Sequence, residues 1–140
     1  MVAIQERVFP VDPTDLLPAV TEDNREWWEA LSQGKIIAQG CGRCSRRRFP
    51  IAPVCPYCGA TVWAWQELSE DATVFSWIRY QKSFLPEFAD VVPYVVVCAQ
   101  LEEGVRMFGR MVGEKEPRIG DAIRGVVERW PGGRCVLCFV

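Results

Sequence analysis

"CGRCSRRRFPIAPVCPYCG", residues 41–59, is the stretch that decides the fold. Cys41-x2-Cys44 and Cys55-x2-Cys58 form two turns separated by ten residues. Each turn lets two thiolates converge, and two such turns facing each other complete a tetrahedron around a metal ion. In the second turn Pro56 fixes the backbone and Gly59 leaves it unhindered after the last ligand. The first turn has Ser45 at the matching place and is the weaker half of the pattern. A centre made of four thiolates has no open position for water or substrate, which is the arrangement of a structural metal rather than a catalytic one. The reading is one structural Zn2+ per chain, held by Cys41, Cys44, Cys55 and Cys58. Iron in a rubredoxin-like site is the rival, since four thiolates also suit iron. Colour separates the two: the zinc form is colourless and the iron form red.

Composition narrows what the rest of the chain can do. The 140 residues contain no histidine, which excludes a Ser-His-Asp triad, a Cys-His dyad, His-ligated zinc and the commonest general base. Lysine occurs only at Lys35, Lys82 and Lys115, so amine chemistry has few candidates. The formal charge is −2, and a four-thiolate zinc centre makes the chain more acidic still, which argues against a nucleic-acid backbone as partner. The 49% apolar and 24% charged fractions are those of a globular domain. No apolar run reaches the length of a membrane span, and the opening "MVAIQERVFPVDPTD" lacks the apolar core of a secretory signal. The expected location is the cytoplasm, where seven cysteines point to metal ligation or packing rather than disulfides.

Upstream of the cysteines, residues 1–20 carry Pro10, Pro13 and Pro18 and read as an extended arm, ordered only if something binds it. Residues 21–34, "TEDNREWWEALSQG", read as a helix. Thr21 or Asp23 supplies its cap, Asp23 and Glu26 match a capping box, and Gly34 stops it. Trp27, Trp28 and Leu31 share one face at helical spacing. They either pack on the domain's own core or present aromatic anchors to another protein. The ribbon, residues 35–68, sets the cysteines between strands "KIIAQ" and "TVWAWQEL".

From residue 69 to 140 the pattern is all β. "ATVFSWIRYQ", "YVVVCAQLE", "VRMFGRMV", "AIRGVVERW" and "RCVLCFV" favour β-branched and aromatic residues, with "EG" and "PGG" suited to hairpins. Five strands suggest an OB-fold barrel, although "GEKEPRIGD" is too short for the helix many such barrels insert. The strands show no obvious ladder of exposed aromatics interleaved with basic residues. The second Cys-x2-Cys, Cys135 and Cys138, lies within a strand, where the two thiols point to opposite faces and cannot share a metal. Cys98 reads as a core residue. Arg46, Arg47 and Arg48, with Arg43, form a basic rim beside the metal: charge balance for the thiolates, or a grip on phosphate.

In this order, "REWWEALSQGKI", the ribbon, "VPYVVVCAQLEEGVRMFGRMV" and "RIGDAIRGVV", residues 22–140 resemble the acyl-CoA-associated family called domain of unknown function 35. The Pro93-Tyr94 strand start, Glu102-Glu103-Gly104 and the Ile119-Gly120 turn carry the resemblance beside the ribbon. Ser45, where a glycine is usual, and the cysteines of the last strand depart from it. The resemblance implies a mainly β chain made of an N-terminal helix, a rubredoxin-like zinc ribbon and a five-stranded OB-fold barrel. It further implies a non-catalytic subunit in a hetero-oligomer with a thiolase-fold enzyme. That enzyme would be a thiolase, an acyltransferase or a steroid side-chain aldolase acting on acyl-CoA carbon–carbon bonds. On that reading Trp27, Trp28, Phe84, Leu85 and Phe88 are candidates for partner contact. Arg46, Arg47 and Arg48 would meet CoA phosphates or acidic partner residues. The competing class is a zinc-ribbon/OB module for single-stranded nucleic acid, recognised by a salt-sensitive shift with RNA or DNA.

Overall fold

A computed structural model of the chain describes residues 2–101 and 104–140; Glu102 and Glu103, part of the family resemblance, lie outside them. The chain begins with β1 (Ile4–Glu6), followed by a single 3-10 turn at Thr14–Leu16 and α1 (Arg25–Ser32). The ribbon strands are β2 (Ile36–Cys41), β3 (Arg47–Arg48) and β4 (Trp63–Leu68), ordered β3-β2-β4. The barrel strands are β5 (Asp71–Tyr80), β6 (Tyr94–Leu101), β7 (Arg106–Met111), β8 (Ala122–Arg129) and β9 (Cys135–Phe139). The sheet order β1-β8-β5-β6-β7-β9 closes on itself through β8–β9 pairing, and β7 runs parallel to β9. That is the OB-fold arrangement expected, with no helix among residues 112–121.

Closure follows from alternation. Val95, Val97, Ala99 and Leu101 on β6 are buried every second residue, as are Cys135, Leu137 and Phe139 on β9, so one face of each strand fills the barrel. Gly125 is where ribbon and barrel meet: a Cβ there would lie 2.7 Å from Ile36 Cδ1, so a side chain would have to displace the tip of Ile36. The 130–134 hairpin closes with Trp130 N donating to Arg134 O at 2.7 Å. Gly132 and Gly133 supply its positive φ of 86° and 90°.

α1 has eight residues, too few to persist alone in water, and holds its shape by burying Trp27, Ala30 and Leu31. Its start differs from the expected capping box. The cap position is Asn24, whose Oδ1 accepts from the Thr21 backbone N–H at 2.7 Å and whose Nδ2 donates to Ala19 O at 3.1 Å. The amide thus ties the incoming loop to the helix, and neither Thr21 nor Asp23 caps it.

The N-terminal segment is also packed, not waiting for a binder. β1 runs parallel to β8, with Ile4, Gln5 and Glu6 opposite Val127, Glu128 and Arg129. Val2 and Phe9 are buried, and Phe9 meets the Trp130 ring edge-on at 5.0 Å. This cover explains why the outer face of β8 and β9 is buried as well as the inner. Val126, Glu128, Trp130 and Cys138 all lie out of solvent there. Cys135 and Cys138 therefore take opposite faces and are both buried, and burial pushes the Cys138 thiol up to about 12.

Candidate metal centre and surrounding surface

β2 ends on Cys41 and the loop before β4 carries Cys55 and Cys58, so sheet pairing brings the two turns face to face. The turns repeat one another. Ser45 N donates to Cys41 O at 3.2 Å and Gly59 N to Cys55 O at 2.9 Å. Cys41 N donates to Arg46 O at 2.9 Å and Cys55 N to Ala60 O at 2.8 Å. All four sulfurs lie within 4.8 Å of one another, with Cys41–Cys58 at 3.6 Å and Cys44–Cys55 at 3.7 Å. A tetrahedron with metal–sulfur bonds of about 2.3 Å has sulfur–sulfur edges of about 3.8 Å, so the cage has the size zinc requires.

The electrostatics agree. The backbone N–H groups of Cys44 and Arg43 point at the Cys41 sulfur, at 3.5 and 3.4 Å, and draw its pKa down to about 6. Cys44 goes the other way. The Arg46 backbone N–H favours its thiolate, but burial and the neighbouring thiols outweigh that and push it up to about 11. Four sulfurs this close ionise together only when a dication shares their charge.

Ser45 has φ +64°, the left-handed region, where the matching Gly59 sits at +77° without strain. The weaker half of the sequence pattern is thus a strained residue in the fold. Ser45→Gly should stabilise the zinc-loaded chain by about 1 kcal/mol, read from its urea midpoint, because the steric cost of the side chain exceeds the entropy glycine adds to the unfolded state. An unchanged or lower midpoint would show that the serine is unstrained.

The basic rim is only partly a rim. Arg46 is exposed and stacks on Tyr57 of the opposite turn at 4.5 Å, and Arg47 is half-buried. Arg48 turns inward. Its Nε donates to Gln39 Oε1 at 3.1 Å and its Nη2 to Ala52 O at 2.9 Å, stitching the inter-turn loop to β2. Pairing of β3 with β2 places Arg48 opposite Gln39, which local spacing could not reveal. Contrary to the expectation of a phosphate contact, the Arg48 guanidinium is buried and engaged within the ribbon, and of the three arginines Arg46 and Arg47 alone reach the surface.

The aromatic candidates divide in the same way. Trp27 is buried against Phe49, ring centroids 4.8 Å apart, so it serves the core and presents nothing to a partner. Trp28 is half-buried beneath the Arg134 guanidinium at 4.3 Å. Phe88 belongs to the chain's own cluster with Tyr94 at 5.7 Å, Phe9 at 6.1 Å and Trp130 at 6.3 Å. Phe84 and Leu85 do reach solvent, Phe84 with 86% of its surface.

The barrel also shows a face that sequence reading missed. Phe75, Ile78, Tyr80 and Phe108 are exposed on β5 and β7, and Arg106 stacks on Phe75 at 3.6 Å. Alternation hid it because β5 carries a bulge: Val74 pairs Ala99 and Ser76 pairs Cys98, so Phe75 is the extra residue and the parity shifts. A cleft of about 540 Å³ lies beside this face, lined by Arg7, Arg79, Arg110 and Lys115 among others. Its charge is mostly spent: Arg79 pairs with Glu116 at 2.8 Å, Arg110 with Glu128, and Lys115 lies 3.8 Å from Asp121. Among the described residues no helix is long and apolar enough to cross a membrane.

Comparison with known proteins agrees with this geometry. Residues 28–64 match the family model described as the ChsH2 rubredoxin-like zinc ribbon domain, and residues 65–128 match the ChsH2 C-terminal OB-fold domain. The metal is accordingly zinc. A solved structure described as an Ltp2–ChsH2(DUF35) aldolase superimposes with a TM-score of 0.78 at 30% identity, covering 88% of this chain and 97% of that one. A DUF35 domain-containing scaffold protein of Methanothermobacter thermautotrophicus is 29% identical over 79% of this chain and 84% of its own length. A probable enoyl-CoA hydratase alpha subunit of Thermomonospora curvata is 36% identical over 69% of this chain. The 3-oxo-4,17-pregnadiene-20-carboxyl-CoA hydratase alpha subunit of Mycobacterium tuberculosis is 26% identical over 78% of this chain. The matched parts are 30% and 34% of those two hydratase subunits, so this chain spans about a third of their length.

Proposed function

Because the chain belongs to the DUF35 family, a ChsH2-type rubredoxin-like zinc ribbon joined to an OB-fold, we propose that it is a non-catalytic subunit docking onto a thiolase-fold enzyme that acts on acyl-CoA carbon–carbon bonds. The observation that carries this reading is the closed metal centre. Four thiolates fill a tetrahedron and leave zinc no site at which to polarise a carbonyl or activate water. When bound, zinc supplies rigidity. Cys41 and Cys44 fix the end of β2, Cys55 and Cys58 fix the inter-turn loop, and Arg48 ties that loop back to Gln39. A chain without histidine leaves general acid–base work to its partner.

The relatives support a serving role. One is named a scaffold protein, one is part of an aldolase with Ltp2, and two are hydratase subunits in which the shared region is a minor part. The exposed Phe75, Ile78, Tyr80 and Phe108 with Arg106, and beyond them Phe84 and Leu85, have the composition of a protein interface, rich in aromatics and arginine. Arg46 and Arg47 are free to meet an acidic rim or a CoA phosphate.

The test is co-expression of the full chain with a thiolase-fold enzyme of the same genome. Assembly is followed by size-exclusion chromatography, and acyl-CoA cleavage is assayed for each chain alone and together. The chain alone should show no turnover and the assembly should. Phe84→Ser with Phe108→Ser should weaken assembly at least about tenfold, the size of a typical hot-spot loss, with zinc content unchanged. Turnover by the isolated chain, or assembly indifferent to both substitutions, overturns the reading.

A further inference from the structure

A strand inside a sheet spends all its backbone groups on its neighbours, whereas an edge strand leaves half of them unpaired. The barrel closes through β8 and β9 but leaves part of β5 as such an edge. β8 pairs with Asp71, Ala72 and Thr73. The turn before β8 takes Val74, whose N–H donates to Asp121 O at 2.9 Å and whose carbonyl accepts from Gly120 N at 2.8 Å. From Phe75 to Tyr80, among the described residues, β6 is the one strand alongside.

Register fixes which groups are left over. In an antiparallel ladder successive residues bond alternately to one side and the other. Leu101 N donates to Val105 O at 2.8 Å, so the odd-numbered residues of β6 bond toward β7 and the even-numbered ones toward β5. Tyr94, Val96 and Cys98 therefore exchange bonds with Tyr80, Ile78 and Ser76. Trp77 and Arg79, opposite Val97 and Val95, turn their N–H and C=O groups the other way, as Val74 opposite Ala99 does. Among the described residues no backbone bond reaches them there. The two residues are about 7 Å apart along the strand, a repeat that an extended chain matches. The edge, "FSWIRY" at residues 75–80, carries neither lysine nor proline to blunt it.

We propose that the β5 edge takes an extended segment of the thiolase-fold partner as an added strand, apolar and bearing a carboxylate. An extended segment meets the N–H and C=O groups of both residues at once, whereas a helix has spent its own. Its outward side chains would lie beside the exposed Ile78 and Tyr80. The carboxylate follows from charge. Arg106 lies over Phe75 at 3.6 Å and donates to the neutral Gln100, and Arg118 stands exposed in the turn that binds Val74. Among the described residues neither guanidinium forms an ion pair. A second copy of this chain would bring the same cations to the edge and not their counter-charge. Strand pairing rests on the docking role proposed for this face and adds the kind of contact made there.

The experiment uses the zinc-loaded full chain, isotope-labelled, alone and assembled with the unlabelled thiolase-fold enzyme of the same genome. Amide exchange is read residue by residue. In the chain alone Trp77 and Arg79 should exchange at least about a hundredfold faster than Ser76 and Ile78. Assembly should slow Trp77 and Arg79 at least about tenfold. Arg79→Pro removes an edge N–H without touching a β5–β6 bond, and its ring obstructs an added strand. Arg79→Ala loses the same side chain, with its exposed pair to Glu116, but keeps the N–H. The proline variant should assemble at least about tenfold more weakly than the alanine variant, with Ile78 still slow in both. An assembly in which Trp77 and Arg79 stay fast, or equal assembly of the two variants, overturns the added strand and leaves the docking role standing. Protection of these amides in the chain alone overturns it too, in favour of a second copy where the protection fades on dilution. Absence of any assembly overturns the docking role and the added strand together.

Discussion

Cys55→Ser, or removal of zinc by a chelator, should release the ribbon from its fold while the barrel strands remain protected. Cys55 is 2% exposed and its sulfur lies 3.7 Å from that of Cys44, so the serine oxygen can neither reach the metal at a sulfur's distance nor bind it as strongly. Structural zinc contributes on the order of 10 kcal/mol to folding a small module, comparable with the whole stability of a domain. Little else holds the cysteine-bearing end: β3 has two residues, and the residues around Cys55 and Cys58 form turns rather than strands. The barrel residues Val97, Leu101, Met107, Val127 and Phe139 share one apolar cluster with Ile36, Ile37, Ala38 and Leu68 of the ribbon, but none of them is a metal ligand. Hydrogen exchange is the measurement. Amides of β2 and β4 should lose protection on chelation while those of β6 and β8 keep theirs. Because each ligand must be a thiolate, occupancy falls as pH falls, and acid should produce the same pattern. Simultaneous loss of protection everywhere would show instead that Ile36, buried at the β2–barrel junction, couples the two into one unit.

What could be read before any coordinates follows a physical line between local and distant constraint. The cysteine spacing is legible because a metal site built from two tight turns is a local geometry. The barrel is legible because its strands alternate over five or more residues. The N-terminal strand is not: β1 has three residues and gains its order from β8, so that Glu6 meets Arg129, 123 positions away, at 2.7 Å. Arg48 reads as surface in the run "RRR" and turns inward only because β2–β3 register sets it opposite Gln39. Ile78 and Tyr80 are hidden by one inserted residue in β5, which moves them off the face of the buried Val74. Trp27 and Trp28 are neighbours in sequence, yet helical geometry sends one into the core and leaves the other at its edge. The ribbon's ligands were thus readable, whereas the surfaces that would meet other molecules depend on pairings between distant segments.

Glu128→Leu should cost about 3–5 kcal/mol of stability, and adding Arg110→Met should return most of it. The Glu128 side chain is 3% exposed and that of Arg110 14%, and they form an ion pair on the outer face of the barrel. Trp130 Nε1 donates to the other carboxylate oxygen at 3.4 Å, and Phe9 and Phe88 pack on the same tryptophan. Removing the carboxylate leaves a guanidinium facing apolar and aromatic neighbours with no counter-charge, and desolvation then dominates. Removing both charges replaces a paired but costly contact by packing, which is often neutral or better. A double-mutant cycle in urea measures the coupling, and a single-mutant loss under about 1 kcal/mol would show that Arg110 escapes to water through the adjoining cleft. The pair also bears on function. It sits beneath the residues that hold the 82–93 loop, through Phe88, and the N-terminal segment, through Phe9. Loosening it should therefore weaken partner assembly through Phe84 and Leu85, which the pair never touches, and the double substitution should restore assembly along with stability.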